Sequence, residues 1–457
     1  MRRIFTLFAL VWYWSFAASH ATSAAGNPGK IGDEVLVRLA HAPRATVVVL
    51  FEAPAPGTAD RAVRTRRIAT TADAILSALP ADDFTQRHRF RHVAALALDV
   101  GPKAIEVLRA DPRVVQVDLD VGGTAHMDQA APLARVSEVR ALGYTGQGIK
   151  VGILDSGLRA THLDLADSLV DEHCFCSSDT AGEGCCPNGA DQQSGPGSAA
   201  DGWGHGTNVA GIITGNGTHA PMGGAPATSV VMVRMLSDEG RFRTSADITA
   251  SLDWLADNHP DVRVVNMSVG TGRLFASSCD TTTSWSAAAY QAAQVLALNG
   301  TVLTASAGNQ GNPTSVSMPA CLSNVLGIGA VWDSSMSDQE FLDCIDTDIS
   351  ADLPTCFSNS GDNIALYAPG AYTTSTDQHS DTGASFWGGT SQAAPLVAAC
   401  IADLLQLRPM ATPAQIGAAL AATPTHVTDP KNQRSFPRLD CMASALALDT
   451  IFRNGLD

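Results

Sequence analysis

From about residue 130 onward, short apolar runs with almost no polar alternation take turns with longer segments of helical spacing. The runs are KVGILDSG (150–157), SVVMVRML (229–236), VRVVNMSVG (262–270) and GTVLTASAGN (300–309). A strand wetted on one side alternates polar and apolar residues, so unalternating runs call for a sheet covered on both faces. Between them, HGTNVAGIIT, TSADITASLDWLADN and SWSAAAYQAAQVLALN space their apolar residues as helices do. The alternation predicts an α/β fold in three layers, a parallel sheet with helices on both faces. Groups that do chemistry in such a fold gather beyond the carboxyl ends of the strands.

With 457 residues, 45% hydrophobic and only 16% charged, the chain can bury a large core and does not read as disordered. Its opening, MRRIFTLFALVWYWSFAASHATSAAG, sets two arginines before an apolar run and small residues after it, the layout of a cleavable secretory signal over residues 1–25. The apolar run, 4–18, is short for a membrane-spanning helix. No later stretch reads as a span, so the expectation is a protein exported to the medium, or to the periplasm of a Gram-negative bacterium, without stable membrane association. Residues 30–126 carry 13 Lys and Arg against 12 Asp and Glu, net +1, whereas 127–457 carry 14 against 33, net −19. So acidic a surface repels nucleic acid and anionic lipid.

Ten cysteines in an exported chain imply disulfides. Cys279 is read as paired with Cys321, Cys344 with Cys356 and Cys400 with Cys441. That leaves Cys174, Cys176, Cys185 and Cys186, inside a Gly- and Ser-rich insertion at 172–200, to pair among themselves. A zinc site from those four stays open, although no known finger spacing fits.

Ahead of this domain, ATVVVLFEA (45–53), RHVAALALDV (91–100) and RVVQVDLD (113–120) read as strands, and 60–79 and 102–110 as helices. They make a small α+β unit, closed by the Gly-rich boundary VGGTAHMDQ. RTRR (64–67) falls within the first helix and reads as a solvated basic face rather than a processing site.

Three chemically useful side chains stand where strand gives way to helix. Asp155 closes ILDSG, His205 opens the helix of DGWGHGTNVAG, and Ser391 opens that of FWGGTSQAAP. Singly, these are a turn residue, a solvated histidine and a helix N-cap. Together they supply a nucleophilic triad: Asp155 to orient an imidazole, His205 to take and return a proton, Ser391 to attack a carbonyl carbon. Asn309, in the turn TASAGNQGNP, can offer an amide to the resulting oxyanion beside the backbone N–H of Ser391. Gly388 and Gly389 permit the close approach, and Pro395 is expected to be tolerated as part of a first helical turn whose N–H groups lack partners.

ILDSG, GHGTNVAG, SAGNQG and GTSQAAP, in that order, resemble the subtilisin-like (subtilase) serine proteases over roughly 130–450. The resemblance implies a secreted serine endopeptidase acting on polypeptides, with Asp155, His205 and Ser391 as triad and Asn309 as oxyanion donor. It implies that Ser268, Val269 and Gly270 pair with substrate, that Gly240 belongs to the facing strand, and that Ala305, Ser306 and Ala307 line the first specificity pocket. It also implies a ferredoxin-like propeptide, 26–125, which assists folding, inhibits until cleaved and is the chain's own partner, ahead of a monomeric peptidase domain at 126–457. No cofactor is required; structural calcium stays open, since no stretch is dense in evenly spaced carboxylates. Asn208, Gln392 and Leu396 replace the commonest residues of these motifs. Two rival readings remain: a protease-like secreted binding protein without turnover, and an α/β-hydrolase esterase, which would require G-x-S-x-G and the order Ser, acid, His.

Overall fold

The structure, a computed structural model, describes residues 29–53, 61–120, 123–125, 133–178, 180, 183–341 and 344–453. The segment read as a signal lies outside them.

One eight-stranded sheet organises the larger domain, in the order Ile364–Pro369, Leu326–Val331, Val302–Ser306, Val264–Met267, Lys150–Asp155, Ser229–Arg234, Leu169–Phe175 and Gln192–Ser194. All neighbours are parallel except the last pair. Helices Ala246–Asn258 and Ser284–Leu298 bury one face of the sheet and helices His205–Thr214 and Thr390–Leu407 the other, in two apolar cores. Lys150–Asp155, the first strand of the domain in sequence, lies mid-sheet because the chain winds to one side of it and later to the other. Such a switch point opens a crevice beyond the strand ends, and Asp155 stands there.

Helix Thr390–Leu407 runs through the core on small residues, with Ala393, Ala394, Ala398 and Ala399 fully buried. By length and hydropathy it could cross a membrane, contrary to the sequence reading, but 83% of that window is buried inside the protein. Pro395 also differs from expectation. The first α-helical bond runs from Ala393 N–H to Gly389 O, so residue 395 lies beyond the first turn. A residue there would ordinarily donate to Ser391 O; proline cannot, and the Ser268 hydroxyl takes that carbonyl instead at 2.7 Å.

Asp403 sits on the same helix, fully buried, with no hydrogen-bond partner for either oxygen. Burial pushes its pKa up to about 9 against the opposing charge of Arg140, so the carboxyl is neutral at pH 7. An unfolded chain ionises it above its ordinary 3.8, so the site destabilises the fold increasingly as pH rises toward 9, by about 1.4 kcal/mol per unit. Asp403→Asn, in an inactive Ser391→Ala background, is expected to gain on the order of 4 kcal/mol at pH 7 and less than 2 kcal/mol at pH 5 in urea unfolding. An equal gain at both pH values would contradict this account.

The N-terminal unit is an antiparallel sheet, ordered Phe84–Arg89, Ala95–Val100, Ala45–Phe51 and Val114–Leu119, with helices Arg61–Leu76 and Pro102–Ala110. Helix Asp33–His41 precedes them, and the rest of the unit runs strand, helix, strand, strand, helix, strand. Val48, Phe90, Val93, Ala95 and Ala97 extend the core that contains the helix pair Ala246–Asn258 and Ser284–Leu298. Two aspartates fix the docking by capping both helices. Asp118 accepts from the Ser284 N–H, and Asp120 Oδ1 accepts the Ser245 N–H and hydroxyl at 2.5 and 2.7 Å. Negative charge at helix N-termini is favourable. Arg64, read as part of a solvated basic face, is instead buried in this interface, donating to His92 O and to Gln291 Oε1.

All ten cysteines are paired. Cys279–Cys321, Cys344–Cys356 and Cys400–Cys441 follow the sequence expectation; the insertion contains Cys174–Cys186 and Cys176–Cys185, and so holds disulfides rather than zinc.

Candidate active site

Asp155 ends its strand and His205 begins its helix fifty residues later, yet the two turns touch. A Cβ on Gly206 would come within 2.2 Å of Gly157 O, so only glycine allows this approach. Asp155 Oδ1 accepts from His205 Nδ1 at 2.7 Å and from the Ser156 N–H at 2.7 Å, and both Asp155 and His205 are 0% exposed. With Nδ1 carrying the donated proton, Nε2 is the basic nitrogen of the neutral ring. Burial pushes the Asp155 carboxyl up, while the His205 charge and hydrogen bond and the Ser156 N–H push it down.

The His205 turn is held by a residue the sequence reading passed over. Asp201 Oδ1 accepts the Trp203 and Gly204 N–H groups and the Ser156 hydroxyl, and its Oδ2 accepts the Thr207 N–H and hydroxyl, all between 2.6 and 3.0 Å. It thereby ties the Asp155 turn to the His205 helix. The available signal was a carboxylate four residues ahead of the histidine.

Ser391 is the second residue of its helix, so its N–H has no intrahelical partner. Gly389, at φ 151°, bends the chain into that helix. Ser268 holds Ser391 twice: its carbonyl accepts from Ser391 Oγ at 3.3 Å and its hydroxyl donates to Ser391 O. Asn266 Nδ2 supports the Ser268 hydroxyl at 2.9 Å. Beside Ser391, Thr390 donates its N–H and its hydroxyl to Asn309 Oδ1, at 3.1 and 2.9 Å. The Thr390 N–H can only donate, which fixes the orientation of the amide: Oδ1 toward Thr390, the NH2 on its other edge. Thr390 too was missed in the sequence. Gln392 Nε2 reaches Asn208 Oδ1 at 3.4 Å, joining the two helices headed by Ser391 and His205. Leu396 and Gln392 both line a cleft of about 490 Å³, together with Gly211 and Ile212 of the His205 helix.

Val269 and Gly270 belong to a short strand, Val269–Thr271, broken from Val264–Met267 at Ser268. Between it and Arg241–Phe242 lies the chain's own Gly123–Ala125, antiparallel to both, with Ala125 opposite Val269 and Thr124 opposite Gly270 and Arg241. Gly240 is placed in the turn just before Arg241, with left-handed φ 70°, and not in a strand. Ala305 and Ser306 end strand Val302–Ser306 and Ala307 follows; all three are fully buried, with the Ser306 hydroxyl donating to Val269 O at 3.3 Å. Among the described residues, no three His, Cys, Asp or Glu side chains gather where they could hold a metal ion.

A parallel sheet with these groups beyond its strand ends, and a peptide strand lying in the cleft beside them, has the make-up of a serine peptidase. Residues 146–437 match the Subtilase family, Peptidase_S8. Subtilisin DY of Bacillus licheniformis is 32% identical over 302 residues, 65% of this chain and 91% of that protein. Subtilisin E of Bacillus subtilis (strain 168) is 30% identical over 351 residues, 74% and 77% of the two chains. An extracellular serine proteinase of Thermus sp. (strain Rt41A) is 30% identical over 346 residues, 73% and 72%. A cold adapted subtilisin-like serine proteinase of solved structure is 26% identical, over 65% of this chain and 90% of that one, with a TM-score of 0.49. The chain belongs to the subtilase family and is a serine endopeptidase.

Proposed function

We propose that the protein is exported as a zymogen and cleaves polypeptides, beginning with its own chain, through Asp155, His205 and Ser391. The observation that carries this reading is the strand Gly123–Ala125 in the cleft, whose partner Val269 adjoins the Ser268 carbonyl that accepts from Ser391 Oγ. Main-chain pairing of this kind reads a polypeptide whatever its sequence. Residues 26–125 act as inhibitor and folding aid, with 123–125 bound as a product end would be, and the bond first cut lies downstream of Ala125. Ser268, Val269 and Gly270 hold the substrate backbone from one side and the strand after Gly240 from the other; Ala305, Ser306 and Ala307 back the pocket for the residue before the bond.

His205 accepts the Ser391 proton as Oγ adds to the carbonyl carbon, and the buried Asp155 stabilises the imidazolium that forms. The oxyanion is met by the Ser391 N–H and by Asn309 Nδ2. The imidazolium returns its proton to the leaving amine, and water repeats the sequence on the acyl-enzyme. Because Asn309 acts on charge that exists only after attack, Asn309→Ala is expected to lower kcat about 100- to 1,000-fold with KM nearly unchanged, the scale of loss when one such donor is removed from subtilisin. A raised KM with normal kcat in steady-state peptide hydrolysis would contradict the role.

A further inference from the structure

Two tryptophans box in His205. The Trp203 ring lies nearly parallel to the imidazole, 5.0 Å between centroids and 20° between planes. Trp387 stands edge-on to both, 5.4 Å from Trp203 at 82° and 5.6 Å from His205 at 79°. Neither indole is loosely placed. Trp203 lies over Gly240, where an added Cβ would meet its ring at 2.5 Å, so the glycine makes room for the indole. Trp387 ends a hairpin, Thr373–Thr376 with Ala384–Trp387, and its Nε1 donates to Ser385 Oγ at 3.1 Å.

The strand register says which substrate residue meets this wall. Arg241 is opposite Thr124 and Phe242 opposite Gly123, so Gly240, in the turn just before Arg241 and covered by Trp203, stands at the end of the pairing nearest Ala125. Resting on the peptidase reading above, we propose that Trp203 and Trp387 determine specificity at the position Ala125 occupies, selecting polypeptides with a small apolar residue there. Indole fills the volume between His205 and Gly240 into which a long or branched side chain would have to fit. A carboxylate placed there gives up water against a wall that is mostly ring surface. Alanine costs neither.

The test is cleavage-site profiling of a mixed peptide library by the mature enzyme, with N-terminal sequencing of that enzyme fixing how far Ala125 lies from the scissile bond. Wild type should favour Ala over Leu, Phe, Asp and Glu at that position by at least about tenfold in kcat/KM. Trp203→Ala should relax the preference to within about threefold, and Trp203→Phe, which keeps an aromatic face, should retain most of it; Trp387→Ala gives a second reading should Trp203→Ala fold poorly. A wild-type enzyme that cuts the library with a flat profile at that position, or a Trp203→Ala and Trp387→Ala pair that leave the preference intact, would overturn the inference while the peptidase reading stands. A library left uncut by wild type would instead overturn the peptidase reading.

Discussion

Ser391→Ala is expected to accumulate as a precursor that retains the N-terminal unit, while the wild-type chain is recovered with a new N-terminus a few residues beyond Ala125. In the structure this segment pairs with Val269–Thr271, next to the Ser268 that holds Ser391, and Asp118 and Asp120 fix it to two helix N-termini. Only the nucleophile is then lacking. Without Oγ nothing remains for His205 to activate, and turnover on added peptide should fall about a million-fold, the scale of the same deletion in subtilisin. Intact mass and N-terminal sequencing of both proteins decide the point. A variant processed at the wild-type position would mean that another protease makes the cut.

Asp155→Asn is expected to reduce kcat about 10,000-fold, as the equivalent change does in other Asp-His-Ser enzymes, with KM within a few-fold of wild type. The replacement keeps shape and can still accept from Ser156, so the fold should survive. What it removes is the full negative charge bonded to His205 Nδ1 in a site without solvent exposure, where an unneutralised imidazolium is most costly. An amide also brings a donor that can impose the wrong tautomer on the ring. Kinetics on a small peptide substrate separate this from a packing effect. A loss confined to KM would mean that Asp155 shapes the cleft rather than the proton transfer.

The groups assigned to chemistry were legible because each marks a local event, a strand end or helix start in a glycine-rich turn, visible without knowing the fold. Their supports were not. Asp201 matters through Ser156 and Thr207, Thr390 through Asn309, and the Trp203 and Trp387 pair through His205, all contacts that exist only once distant segments meet. The central strands could be read from unalternating apolar runs, whereas the edge strands could not. Leu169–Phe175, next to last on one side of the sheet, carries Asp171, Glu172 and His173, and Ile364–Pro369, the strand at the opposite edge, ends in a proline, which a central strand does not favour. Pro395 shows how a correct feature can carry a wrong reason: its missing N–H is not an unused first-turn donor, but what leaves the Ser391 carbonyl to Ser268. Arg64 shows the limit of composition, since a basic run on a helix looks solvated until the surface it docks against is known.

The most direct measurement is to treat the purified, processed protein with a fluorophosphonate and map the adduct by peptide mass. The account predicts a single adduct on Ser391, formed in proportion to the loss of polypeptide hydrolysis and absent from Asp155→Asn or His205→Ala on the same timescale. An unlabelled Ser391 in a protein that still cleaves peptides, or full labelling of Ser391 with hydrolysis unimpaired, would contradict it.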